Sequence, residues 1–102
     1  MQPYYIIEKR DAEHIRFQHA EVEKSSQTIA TGYDTYVEAK KALSEKHYNY
    51  TYSGGRYELV KDERLPNGCF KRLVFNEPEF LEDTLGNKSR STIEIFIAKT
   101  LA

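Results

Sequence analysis

Between Thr28 and Glu38 the chain changes its hydrophobic period within a few residues, and that change constrains what it can fold into. Thr28-Ile29-Ala30-Thr31-Gly32-Tyr33 alternates β-branched positions and ends on a glycine and a tyrosine, the pattern of a strand. Thr35-Tyr36-Val37-Glu38 follows as a capping box, in which the Thr hydroxyl satisfies an orphan N–H and Glu38 reaches back to the cap. A helix therefore begins at Thr35, with Tyr36, Ala39, Leu43 and His47 on one stripe and Glu38, Lys41 and Glu45 on the other side. A strand that runs straight into such a helix implies a sheet with the helix packed on it.

Upstream, Tyr4 to Lys9 carries tyrosines and isoleucines on both parities, as a strand covered on two faces or an edge strand with a wet aromatic row would. Arg10-Asp11-Ala12-Glu13 reads as a turn. Beyond it Ile15, Phe17 and His19 share a strand face, while Ala12, Ile15, His19 and Val22 also repeat at helical spacing. The polar break at Ser25-Ser26-Gln27 and the strand after it favour the first reading.

Downstream, Tyr48, Tyr50 and Tyr52 alternate with His47, Asn49 and Thr51, a period of two that puts the three phenol rings on one strand face. Ser53-Gly54-Gly55 turns the chain into Arg56 to Val60, and Pro66-Asn67-Gly68 turns it again into Cys69 to Phe75. Residues 48–75 thus read as a three-stranded meander. Asn76 caps a short acidic helix over about 77–85, opened by Pro78 and closed by Gly86. In the last segment Ile93, Ile95 and Ile97 fit a strand, while Ile93, Phe96, Ile97 and Leu101 fit a helix. Ser91-Thr92-Ile93-Glu94 resembles a second capping box and favours the helix. The expected fold class is α+β: an antiparallel sheet of the meander and further strands, a main helix at about 35–48, the acidic helix, and a C-terminal helix or strand. Tyr5, Phe17 and Thr35-x-x-Glu38 are echoed by Tyr57, Phe70 and Ser91-x-x-Glu94, which suggests a degenerate repeat of 4–48 in 50–102.

With 102 residues, 39% hydrophobic and 30% charged, the chain has room for one domain. A formal net charge of -1 excludes a uniformly basic nucleic-acid protein, so any charged site must come from local clustering. Cys69 is the single cysteine, which leaves no internal disulfide and points to a reducing compartment. The stretch from Met1 to Arg10 lacks the pattern of a signal peptide, and Ile95-Phe96-Ile97-Ala98 is far too short to cross a membrane. A cytoplasmic, soluble protein with no membrane association is expected.

Arg16-Phe17 through Ala20, Thr28-Ile29-Ala30-Thr31, Tyr33 and Ala39 to Leu43 resemble the YegP-type repeat, a family of unknown function built from three strands and a helix. The family's usual Asn-Gly between its second and third strands is replaced by Ser25-Ser26. The resemblance implies strands rather than a helix before Thr28, and it implies no activity.

No catalytic signature links Cys69 to His14, His19 or His47, and His14 and His19, five apart, point to opposite faces of a strand rather than to one metal. Ser53-Gly54-Gly55-Arg56 lacks the helix context of a phosphate cradle. No catalytic residue, metal or cofactor is therefore expected. Two features stand out. One is the row Tyr48, Tyr50, Tyr52 with Arg56 nearby, suited to protein contact or base stacking, against the plain alternative of core packing. The other is Glu77, Glu79, Glu82 and Asp83, a compact negative knob that would fit a basic partner surface, against the alternative of helix solubilisation. The expected function is that of a small non-catalytic accessory or inhibitor protein of phage or mobile-element type, occupying a partner protein through these residues. The alternative is a single-stranded nucleic-acid binder using the tyrosine row and Arg56, with Lys40, Lys41 and Lys46 on the backbone. A small enzyme or enzyme subunit is the third reading.

Overall fold

The computed structural model describes residues 2–19, 21–64 and 70–99. Its elements are β1 (Tyr4–Ile15), β2 (Val22–Tyr33), α1 (Tyr36–Thr51), β3 (Glu58–Arg64), β4 (Phe70–Asn76), β5 (Leu81–Glu82) and β6 (Lys88–Lys99). They form one six-stranded antiparallel sheet ordered β2-β1-β6-β4-β3, with the short β5 beside β6. The helix connects β2 at one edge to β3 at the other, and β6 closes the sheet by entering between β1 and β4.

Register makes the core. Ile6, Glu8 and Arg10 of β1 oppose Ile97, Ile95 and Ile93 of β6, and on the other side of β6 Leu73 opposes Ile95 and Phe75 opposes Ile93. With side chains alternating along each strand, these residues share the face on which α1 lies. Ala39 and Leu43 of α1 close against Ile6, Leu73, Phe75, Ile93 and Ile95, all fully buried. The helix begins where its cap chemistry dictates: Thr35 is extended, and its hydroxyl accepts from the Glu38 N–H at 3.2 Å. It ends when Gly54 and Gly55 turn the chain at positive φ.

Beyond the helix, the two loops at the far end of the sheet hold each other. The Phe17 N–H donates to Asn87 Oδ1 at 2.9 Å, and the Phe17 ring lies where a Cβ on Gly86 would come within 2.6 Å of it. Gly86 has φ +86, so this position requires glycine for both backbone and space. Asp83 orders the same loop by accepting from the Leu85 and Asn87 N–H groups at 2.8 and 2.9 Å. These bonds outweigh the opposing effect of desolvation and hold its carboxyl below the ordinary aspartate range.

The architecture corrects the expected α+β class: the sheet dominates and, among the described residues, α1 is the single helix. Residues 10–13 continue β1 instead of turning, and Ser25-Ser26-Gln27 lies inside β2. Residues 10–13 lie on an inner strand flanked by β2 and β6, and residues 25–27 on the edge strand β2; backbone pairing with these neighbours makes both stretches strand despite their polar side chains. Tyr48 to Thr51 is the last turn of α1, so the meander reduces to the β3–β4 hairpin, and its turn at Pro66 to Gly68 falls outside the described residues. The acidic helix over 77–85 is replaced by an irregular stretch, β5 and a turn. Ser91 and Glu94 sit in the middle of β6, where pairing on both sides overrides the cap pattern.

The core makes a direct prediction. Leu43→Ala should lower the unfolding free energy by roughly 3 kcal/mol, as buried leucine truncations do. Val37→Ala, on the exposed side of α1, should change it by no more than about 0.5 kcal/mol. Urea unfolding followed by circular dichroism measures both.

Candidate functional site

Helix α1 presents two stripes. The inner one runs through Ala39 and Leu43 to Tyr50 and meets the sheet. The outer one carries Val37, Lys41, Ser44, Glu45, Tyr48 and Tyr52, spaced by three and four residues and therefore aligned along one side. Tyr48 and Tyr52 are 63% and 71% exposed, and their rings touch at a centroid distance of 4.7 Å. Together they form an aromatic ledge at the C-terminal end of the helix. Beside it lies a shallow cleft lined by Lys41, Ser44, Glu45, Tyr48 and Asn49.

Tyr50 points the opposite way. Its ring packs 5.3 Å from Phe75 and edge-on at 5.1 Å to Tyr57. Its hydroxyl donates to Glu8 Oε1, while Lys46 Nζ donates to Glu8 Oε2 at 3.0 Å. Arg10 stands 3.5 Å from the same hydroxyl. Burial pushes the Glu8 carboxyl upward, but the bonds from Tyr50 and Lys46 and the charges of Lys46 and Arg10 outweigh it, leaving the value below the ordinary glutamate range. Burial first, then the bond to the Glu8 carboxylate, push the Tyr50 phenol up to about 12. This group ties the end of the helix to β1.

Arg56, half-exposed, is likewise tied into the fold. Its Nε donates to Glu77 Oε2 at 3.2 Å, and its guanidinium lies 5.3 Å from the Tyr57 ring. Glu77, only 4% exposed, accepts from the Ser91 N–H at 3.0 Å and from the Ser91 hydroxyl. Its own N–H donates to the Ser91 carbonyl at 2.9 Å. The buried carboxylate thus carries the chain from the end of β4 onto β6. A cleft of about 410 Å³ lies between these two ties, lined by Lys46, Asn49, Tyr50, Ser53, Arg56 and Tyr57.

The residues singled out in the sequence are therefore dispersed. Tyr48 and Tyr52 lie together on the outer side of α1, Tyr50 is turned inward, and Arg56 is bound to Glu77. The strand-face row is corrected to a helix: a period of two over five residues also places the first and last one helical turn apart. Nor do the acids form one knob. Glu77 is buried, Asp83 is engaged in its turn, and Glu79 and Glu82 are exposed. Sequence reasoning missed Glu8 as the partner of Tyr50, which no local pattern could announce. Val37 on the outer stripe was legible from its four-residue spacing to Lys41.

His14 lies 3.0 Å from the Ser25 hydroxyl across the β1–β2 hairpin, and His47 packs against Phe75 with Nε2 4.0 Å from Asp62. Cys69 lies outside the described residues, among which no group of three or more His, Cys, Asp or Glu is placed to hold a metal ion. Among the same residues no helix is long and apolar enough to cross a membrane. Comparison of the chain with family models, with curated proteins and with solved structures gives no match.

The Tyr50–Glu8 bond sets a pH dependence. Because the Tyr50 value is raised in the folded protein, its contribution to stability is present below the ordinary tyrosine value and is lost as pH rises toward about 12. Because the Glu8 value is depressed, its contribution is lost as pH falls below the ordinary glutamate range. In an absorbance titration of the phenols, Tyr50 should ionise last, and Glu8→Gln should lower its value while leaving the part due to burial.

Proposed function

We propose that this chain is a small non-catalytic binding protein that occupies the surface of a partner protein through the outer side of α1. The observation that carries the reading is the exposed, mutually touching pair Tyr48 and Tyr52. Two rings held one above the other on a rigid helix lose little conformational freedom on docking, and each offers a large apolar face with a hydroxyl. Val37, also exposed, extends the stripe toward the start of the helix, with Lys41 and Glu45 between as orienting charges.

A partner with an apolar groove suits this stripe, with the tyrosines as anchors. Glu82, paired with Lys88 of β6, lies on the sheet face away from α1, so Glu79 and Glu82 stand outside this contact. Such a part fits an accessory or inhibitor protein acting in the cytoplasm, of the kind encoded by phage and mobile elements. Single-stranded nucleic acid is the second class of partner for the same ledge, with Lys41 beside it as a backbone contact. The inward turn of Tyr50, which breaks up a continuous row of stacking rings, favours protein.

Affinity purification from the native host with mass spectrometry identifies the partner, and calorimetry with the purified partner then tests the ledge. Tyr48→Ala with Tyr52→Ala should weaken binding by roughly 100-fold or more, the scale of two aromatic anchors. Glu79→Lys with Glu82→Lys should leave the affinity unchanged, since Glu82 faces away from α1. Unchanged affinity in the double tyrosine variant removes the ledge from the mechanism. Salt-dependent capture of a labelled oligonucleotide by the wild-type chain, lost in that variant, shifts the assignment to nucleic acid.

A further inference from the structure

The two edges of the sheet are built differently. At one edge, β3 pairs with β4 through two register breaks, between Leu59 and Lys61 and between Glu63 and Arg64. It also carries Glu58, Lys61, Asp62, Glu63 and Arg64. Bulges and charges are the devices by which an edge strand is kept from pairing with another chain. At the other edge, β2 follows β1 residue for residue from Val22 to Tyr33 without a break. It has no proline, and it is uncharged from Ser25 to Tyr33. Among the described residues β1 is the one strand that pairs with it, so its outer row of N–H and C=O groups faces away from the sheet.

We propose that β2 is a dimerisation edge, pairing antiparallel with β2 of a second copy about a two-fold axis at Ile29 and joining the two sheets into one. The occupant and the register both follow from the strand itself. Around a two-fold axis, residues equally far before and after the axis oppose each other. An axis at Ile29, which is 49% exposed on the helix-bearing side, sets it against the partner's Ile29. Gln27 then faces the partner's Thr31, and Thr28 faces the partner's Ala30. Lys24 meets the partner's Asp34, just past the end of the strand, and symmetry makes this contact twice.

Neighbouring registers lose these matches. An axis at Thr28 opposes Ile29 with the partner's Gln27 and Lys24 with the partner's Gly32. An axis at Gln27 opposes Ile29 with the partner's Ser25 and Lys24 with the partner's Ala30. The Ile29 register keeps the uncharged segment against itself, so that no like charges meet. Its overlap would form on the order of ten backbone hydrogen bonds between chains. The proposal uses none of the residues of the outer stripe of α1, so it stands or falls independently of the one above.

Sedimentation equilibrium and light scattering at roughly 100 µM should give twice the mass of the chain, since micromolar dissociation constants are common for modest interfaces. Ile29→Lys sets two cations together at the axis and should yield a monomer of unchanged circular dichroism. Lys24→Asp and Asp34→Lys should each weaken the dimer about tenfold, and the double swap should restore it. Ile29→Cys in a Cys69→Ser background should cross-link as a disulfide dimer under mild oxidation. Tyr48→Ala with Tyr52→Ala should leave the mass unaltered. A wild-type monomer at this concentration overturns the proposal. So does a dimer indifferent to Ile29→Lys, or one that the double swap does not restore.

Discussion

Helix α1 has to cover one face of a sheet whose longest strands exceed it in length. The 16 residues of α1 span about 24 Å at the rise of an α-helix, whereas the 12 residues of β1 or β6 span about 40 Å. Leu43 and Ala39 are therefore placed over the middle strands, where Ile6, Leu73, Phe75, Ile93 and Ile95 converge. Everything else in the molecule responds to the length that the helix leaves uncovered.

That response is polar. Where α1 ends, Tyr50, Glu8 and Lys46 fasten it to β1 through charge-assisted hydrogen bonds. Past it, Glu77 bonds Ser91 and Arg56, and farther still Phe17 and Asn87 close the two loops on each other. The opposite face of the sheet is handled in a similar manner. Lys9 and Arg72 both lie over the Phe96 ring, and Arg90 pairs with Glu13 and covers Phe80. Long cationic stems shield apolar surface there while their heads stay in water.

These devices also sort the surface. Side chains used as fasteners are engaged in the fold, as Tyr50, Arg56 and Glu77 are, while Tyr48 and Tyr52 stay exposed. The edges divide in the same way, β3 interrupted and charged, β2 continuous and neutral. An α1 ledge and a β2 edge on one chain would allow a two-fold assembly to present two ledges at once, raising the avidity for a symmetric or repeated partner.

The sequence by itself determined the strand ending at Tyr33, the helix starting at Thr35, and the turn at Gly54 and Gly55, because each depends on hydrogen bonds or φ angles within a few residues. It also carried the alternation of Ile93, Ile95 and Ile97, although a cap-like Ser91 and Glu94 competed with it. Tertiary structure decided the rest. Charged residues 10–13 and polar residues 25–27 are strand because β6 and β2 flank β1, a pairing that joins segments up to the full length of the chain apart. Tyr48 and Tyr50 are helix, with Tyr52 capping its end, because Tyr50 finds Phe75 and Glu8, and the acids of 77–83 separate because Glu77 is drawn to Ser91. Such choices are made by contacts between distant residues, whose free energy exceeds the local preference that a short window of sequence can express.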